Sequence, residues 1–159
     1  MKKQMVTRAA ALVMLTLAAL GSGYAQSNSN GCNDKLIAGN YAFTVQGTKL
    51  GGTGPTGPMV GVAMTQFDGK GNLSQIDTVT IDGDVVADWT HTRATGTYAV
   101  SADCTGTFTI NFTDGRPTVV TNFVVAANGD EIDTVVISAG GDQGILATGS
   151  IGKRRFSKR

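Results

Sequence analysis

Apolar and polar residues take turns along most of this chain with a period of two. In 40–46 the apolar set is Tyr41, Phe43 and Val45; in 104–113 it is Phe108, Ile110 and Phe112, set against Thr105, Thr107, Thr109, Asn111 and Thr113. Successive side chains of a strand point to opposite faces, so this alternation predicts strands with one dry and one wet side. Beyond Leu36 no stretch of helical length carries apolar residues at three-and-four spacing. The chain reads as all-β.

Turn chemistry places the strands. Glycine beside Asp or Asn supplies the positive φ that tight hairpins need. Asp68-Gly69-Lys70-Gly71-Asn72 separates 59–67 from 73–81, and Asp82-Gly83-Asp84 leads into 85–93. Strands at 95–101 and 104–113 follow, then Asp114-Gly115-Arg116-Pro117 leads to 118–126. Asn128-Gly129-Asp130 precedes 131–138, and Gly140-Gly141-Asp142-Gln143-Gly144 precedes 145–151. With 40–46 this makes eight or nine strands joined by short links, which is an antiparallel meander. Such a meander loses its exposed edges by closing, so the expected domain is an 8–9 stranded β-barrel over 36–152. A β-sandwich is the alternative; it needs longer crossing connections, and only 47–58 is long enough for one.

The chain ends change the charge picture. Lys2, Lys3 and Arg8 precede an apolar run over 9–20, and Gly23-Tyr24-Ala25 puts small residues where a signal peptidase reads, so 1–25 is expected to be a signal peptide cleaved near Ala25. About 12 apolar residues fall short of the ~20 that span a bilayer, which argues against a membrane anchor. The whole chain has 13 Lys+Arg against 12 Asp+Glu; without the three basic residues of the signal it has 10 against 12. Five of those ten lie in a basic tail at 153–159, leaving the body at 5 against 12, or −7. An acidic body does not suit nucleic acid, whose phosphates need a basic face. The tail reads as a solvated end, the alternative being contact with an anionic envelope surface.

A chain exported to the periplasm or beyond meets an oxidising environment, and this one carries only Cys32 and Cys104. One disulfide between them ties the lead-in at 26–35 to the middle of the domain. Neither cysteine is then left as a nucleophile or metal ligand.

Several motifs now combine: Gly39-Asn40-Tyr41-Ala42-Phe43, Phe67-Asp68-Gly69-Lys70-Gly71-Asn72-Leu73-Ser74, Thr95-Gly96-Thr97-Tyr98, Asp103-Cys104-Thr105-Gly106-Thr107 and Thr148-Gly149-Ser150-Ile151-Gly152-Lys153-Arg154. In this order and spacing they resemble a group of small, uncharacterised secreted bacterial proteins. The resemblance implies a periplasmic or secreted location and a lipocalin-like or allene-oxide-cyclase-like barrel. It supplies no activity and no catalytic residue, and the basic run after Gly152 departs from it.

Chemistry-bearing residues are few. His91 is the only histidine, and no serine has a base and orienting acid at recognisable spacing. Asp68-Gly69-Lys70-Gly71-Asn72 invites a calcium reading, but Lys70 stands where a third oxygen ligand is wanted and no bidentate Glu closes the loop; it reads as a hairpin, with no metal or cofactor expected. Asp77, Asp82, Asp84 and Asp88 read as a solvated acidic rim. The glycine-rich run Gly51-Gly52-Thr53-Gly54-Pro55-Thr56-Gly57-Pro58 opens no helix and reads as a flap at a barrel mouth.

Trp89, His91 and Arg93 are the candidate ligand-binding residues. At alternate positions of one strand they share a face with Val85 and Ala87, and pointing inward they would hold an anionic amphipathic ligand, Arg93 on its carboxylate and Trp89 over its apolar part. Pointing outward, the same trio is a solvated face. The functional expectation is a non-enzymatic exported barrel that binds a small apolar or amphipathic ligand or acts as an envelope interaction module. The alternative is a cofactor-free isomerase or cyclase of allene-oxide-cyclase type, in which a shaped lumen needs few polar groups. A lumen filled with Phe and Tyr would leave room for neither small-molecule role.

Overall fold

The computed structural model describes residues 31–141 and 144–155. A short 3-10 turn, Asp34–Ile37, opens it, and nine strands follow: β1 Gly39–Leu50, β2 Gly57–Phe67, β3 Asn72–Ile81, β4 Asp84–Ala87, β5 Ala94–Val100, β6 Thr105–Phe112, β7 Val119–Ala126, β8 Glu131–Ala139 and β9 Ile145–Arg155. Pairing is antiparallel throughout. Eight strands close on themselves as β1-β2-β3-β5-β6-β7-β8-β9, with β4 an extra strand on the edge of β3. The closing seam runs from Asn40↔Arg155 to Leu50↔Ile145. The meander barrel expected from the alternation is therefore what forms.

Two details differ from the sequence reading. The strand expected over 85–93 stops at Ala87, because the carbonyl of Asp88 accepts the amides of His91 at 2.9 Å and Thr92 at 2.7 Å and winds the chain into a turn. β3 thus pairs with β5 near its start, up to Gln75↔Ala94, and with β4 near its end, from Val79↔Ala87. At the other terminus β9 continues through Arg155, so Lys153, Arg154 and Arg155 belong to the barrel rather than to a basic tail. The segment 1–25, expected to be a signal peptide, and residues 156–159 lie outside the described residues.

Inward-facing residues divide the lumen into two halves. In the half nearer the Asp34–Ile37 turn, Tyr41, Phe43, Phe67, Tyr98, Phe108 and Phe123 form a connected aromatic core, with Phe67 edge-on to Tyr98 at 4.9 Å and to Tyr41 at 5.5 Å. Glycines opposite these rings make the room. Gly152 pairs with Phe43 and Gly106 with Phe123, and a Cβ on either would lie 2.2–2.3 Å from the facing ring.

That end is also sealed from below. Ile37 is fully buried in the core, and Tyr98 accepts the amide of Gly69 at 2.8 Å while donating to the carbonyl of Asp34 at 3.1 Å. Arg154, one of the supposed tail residues, lies over the Tyr41 ring and donates to the carbonyls of Leu36 at 2.6 Å and Gly129 at 2.7 Å. Cys32 and Cys104 are joined in a disulfide spanning 72 residues, which holds the segment ahead of the turn against the β5–β6 hairpin.

Closing a chain loop of that length removes on the order of 4 kcal/mol of entropy from the unfolded state. Cys32→Ser/Cys104→Ser is therefore expected to unfold in urea with about that much less stability than the oxidised protein. A mass unchanged by reduction of the wild type would show that the bond is absent.

Burial pushes the Tyr41 phenol up from 10.0 to about 12, and its hydroxyl donates to the carbonyl of Gly129. The folded state therefore holds the neutral phenol more tightly than the unfolded state does. This stability is whole below pH 10 and disappears as pH rises through about 12, a loss of about 3 kcal/mol. Urea titrations across that range are expected to show a steeper fall for wild type than for Tyr41→Phe, and parallel slopes would refute the assignment.

Candidate functional site

The other half of the lumen is open. A cavity of about 360 Å³ begins where the aromatic core ends, at Phe43 and Phe108, and runs to the mouth beneath the loop 51–56. Its walls are mainly apolar, with Val45, Met59, Val79, Ile81 and Leu146 facing inward from four strands. Thr53, Gly54 and Pro55 also line it, so the glycine-rich run sits at the mouth as expected of a flap.

Polar side chains punctuate this wall. Asp77, expected on a solvated rim, is 4 % exposed because it shares the inward parity of Leu73, Val79 and Ile81 on β3. Both its oxygens accept from the guanidinium of Arg116, at 2.9 and 3.0 Å. Arg116 lies 3.8 Å over the Phe112 ring, and its Nε donates to Asp114 at 2.8 Å. This bidentate pair sits in the wall beside the break between β4 and β5. Thr65 donates to Gln75 at 2.8 Å, and Thr134 and Ser150 share a hydrogen bond of 2.6 Å.

Two further polar groups lie nearer the seam. Lys49, 3 % exposed, comes from the end of β1, and its ammonium donates to the carbonyl of Thr53 in the flap. Thr148, 4 % exposed, faces in from β9, and its hydroxyl has no hydrogen-bond partner among the described residues. Lys49 carries the same inward parity as Tyr41, Phe43 and Val45, a signal present in the alternation of β1 that sequence reasoning did not use. Arg116 had no such signal, since a turn residue has no strand parity.

Trp89, His91 and Arg93 lie elsewhere. The turn after Ala87 carries them on the outside, where Trp89 is 51 % exposed and His91 and Arg93 are exposed as well. They are near one another, Arg93 donating to the Trp89 carbonyl and His91 Nδ1 lying 2.7 Å from Thr90 Oγ1. None of the three lines the cavity. Their expected inward face depended on a strand running to Arg93, and the turn at Asp88 ends that strand.

Two other carboxylates hold turns. Asp68 accepts the amides of Lys70 and Asn72 and the side-chain amide of Asn72, bonds that hold its carboxyl below the usual range. Asp88 is likewise held low by Thr90, whose amide donates to it. Among the described residues, no group of three or more His, Cys, Asp or Glu side chains is placed to hold a metal ion, and no helix is long and apolar enough to cross a membrane. Comparison with protein-family models, curated proteins and solved structures finds no match for this chain.

Removing one partner of a buried ion pair strands the other charge, whereas replacing both with apolar groups can be neutral. Arg116→Met is expected to lower stability by about 3 kcal/mol by leaving the Asp77 carboxylate buried and alone. Asp77→Leu/Arg116→Met is expected to recover most of that loss in urea unfolding. Additive losses in the two single variants and the double would show that the residues are not coupled.

Proposed function

We propose that this chain is an exported, non-enzymatic barrel that holds a small apolar or amphipathic molecule in the open half of its lumen. The observation that carries the reading is the unequal filling of the barrel. Aromatic side chains occupy one half, while the other keeps an apolar-walled cavity of about 360 Å³, within the size range of small-molecule pockets. One sealed end and one mouth covered by a glycine-rich loop is a lipocalin-like arrangement. The Cys32–Cys104 disulfide suggests an oxidising compartment outside the cytoplasm, and a periplasmic or secreted location goes with the signal-like segment at 1–25.

The isomerase or cyclase alternative gains less support from the cavity. Asp77 is the carboxylate of its wall, and Arg116 occupies both of its oxygens. As a general base Asp77 would have to take the substrate proton in competition with a bidentate guanidinium.

The test is binding of a neutral fluorescent probe, N-phenyl-1-naphthylamine, to the purified oxidised protein. We expect saturable enhancement with one site per chain, displaced by 1-decanol. Leu146→Trp, which pushes a large ring into the cavity from its wall, is expected to weaken binding at least tenfold while the far-ultraviolet spectrum keeps its β signature. Absence of saturable binding by the probe, 1-decanol and decanoate alike would overturn the reading.

A further inference from the structure

We infer that the lumen selects a carboxylate-headed amphiphile, with its head at Lys49 and Thr148 near the mouth and its chain against the apolar wall below. This names the ligand class of the carrier proposed above and rests on that reading.

The argument begins with a count of hydrogen-bonding capacity. An ammonium has three donors, and the Lys49 ammonium uses one on the Thr53 carbonyl. Among the described residues no carboxylate lies within ion-pair distance of it; the four ion pairs involve Arg116 twice, Lys153 and Arg154. Burying a cation with most of its donors unused is unfavourable by several kcal/mol unless an anion joins it. The Thr148 hydroxyl is a second, independent case: a buried group able both to donate and to accept, with no protein partner. Elsewhere on the cavity wall, Asp77 is paired with Arg116 and Thr134 with Ser150, and Gln75 accepts from Thr65.

The two unsatisfied groups are neighbours. Lys49 pairs with Leu146 and Gly47 with Thr148 across the β1–β9 seam. Lys49 and Thr148 are therefore diagonal partners on the same inward face, about 7–8 Å apart at Cα. A carboxylate fits this spacing and chemistry. One oxygen accepts from the ammonium and the other from the threonine hydroxyl, and neither needs a donor from Arg116, whose guanidinium is already held by Asp77 and Asp114. Val45, Met59 and Leu146 then supply the apolar surface for the chain.

The experiment compares decanoate, 1-decanol and decylamine by displacement of the neutral probe from wild type, Lys49→Met, Lys49→Arg, Thr148→Val and Thr148→Ser, at pH 8. For wild type we expect decanoate to bind at least tenfold more tightly than 1-decanol, with decylamine the weakest. Lys49→Met should abolish that preference, with decanoate binding no more tightly than 1-decanol, and Lys49→Arg should retain it. Thr148→Val should cost decanoate several-fold and 1-decanol little, and Thr148→Ser should behave as wild type. Equal affinities for decanoate and 1-decanol in wild type, or a preference that survives Lys49→Met, would overturn the inference and leave the carrier reading standing. Failure of all three ligands and the probe to bind would remove both.

Discussion

Everything in this molecule depends on the seam between β1 and β9. It brings the first and last strands together over β1 from Asn40 to Leu50 and satisfies the two edges that an open meander would expose to other chains. Closure with eight strands also sets the bore: an interior of that size is just wide enough for side chains to fill or for one small ligand to occupy. Once the seam is formed, every inward residue is committed to the same narrow space. The character of each half then follows from which residues fall inward there.

In the half with the aromatic core the space is filled by large rings set opposite glycines. Phe43 over Gly152 and Phe123 over Gly106 are pairs in which the missing side chain of one strand accommodates the ring of the next. The Asp34–Ile37 turn, Arg154 and the disulfide close the floor beneath them. These contacts join residues far apart in the chain, as with Arg154 and the carbonyl of Leu36. The sealed half therefore ties both ends of the barrel domain to its centre and provides a fixed base from which the opposite rim can vary.

Much of this was legible from the sequence, for a reason confined to strands. Period-two alternation and Gly-Asp or Gly-Asn turns are local signals, and they placed the strands and the meander within a few residues. The same parity already put Asp77 with Leu73, Val79 and Ile81, and Lys49 with Tyr41 and Phe43; the acidic-rim reading set that signal aside in favour of the usual exposure of charged residues. Trp89, His91 and Arg93 stand outside the cavity for a different reason. Their alternation imitates a strand, but Asp88-Trp89-Thr90 begins with a residue whose side chain competes for nearby backbone amides, and Asp88 does accept the Thr90 amide at 2.8 Å. Arg116 was beyond reach, since a turn residue that folds back into a lumen leaves no periodic mark.

The two halves also differ in how completely their polar groups are satisfied, and this difference separates stability from function. Around the floor, buried polar atoms have partners: Tyr41 donates to Gly129, Tyr98 bridges Gly69 and Asp34, and Arg154 spends its donors on carbonyls and Asp130. Near the mouth, an ammonium with one protein acceptor and a hydroxyl with none stand side by side on a wall where leucine and valine would pack at no electrostatic cost. Stability alone gives no reason to keep Lys49 inside a barrel whose other described lysines are exposed. The carboxylate ligand we infer would bring the missing acceptors and give a reason to keep both groups there.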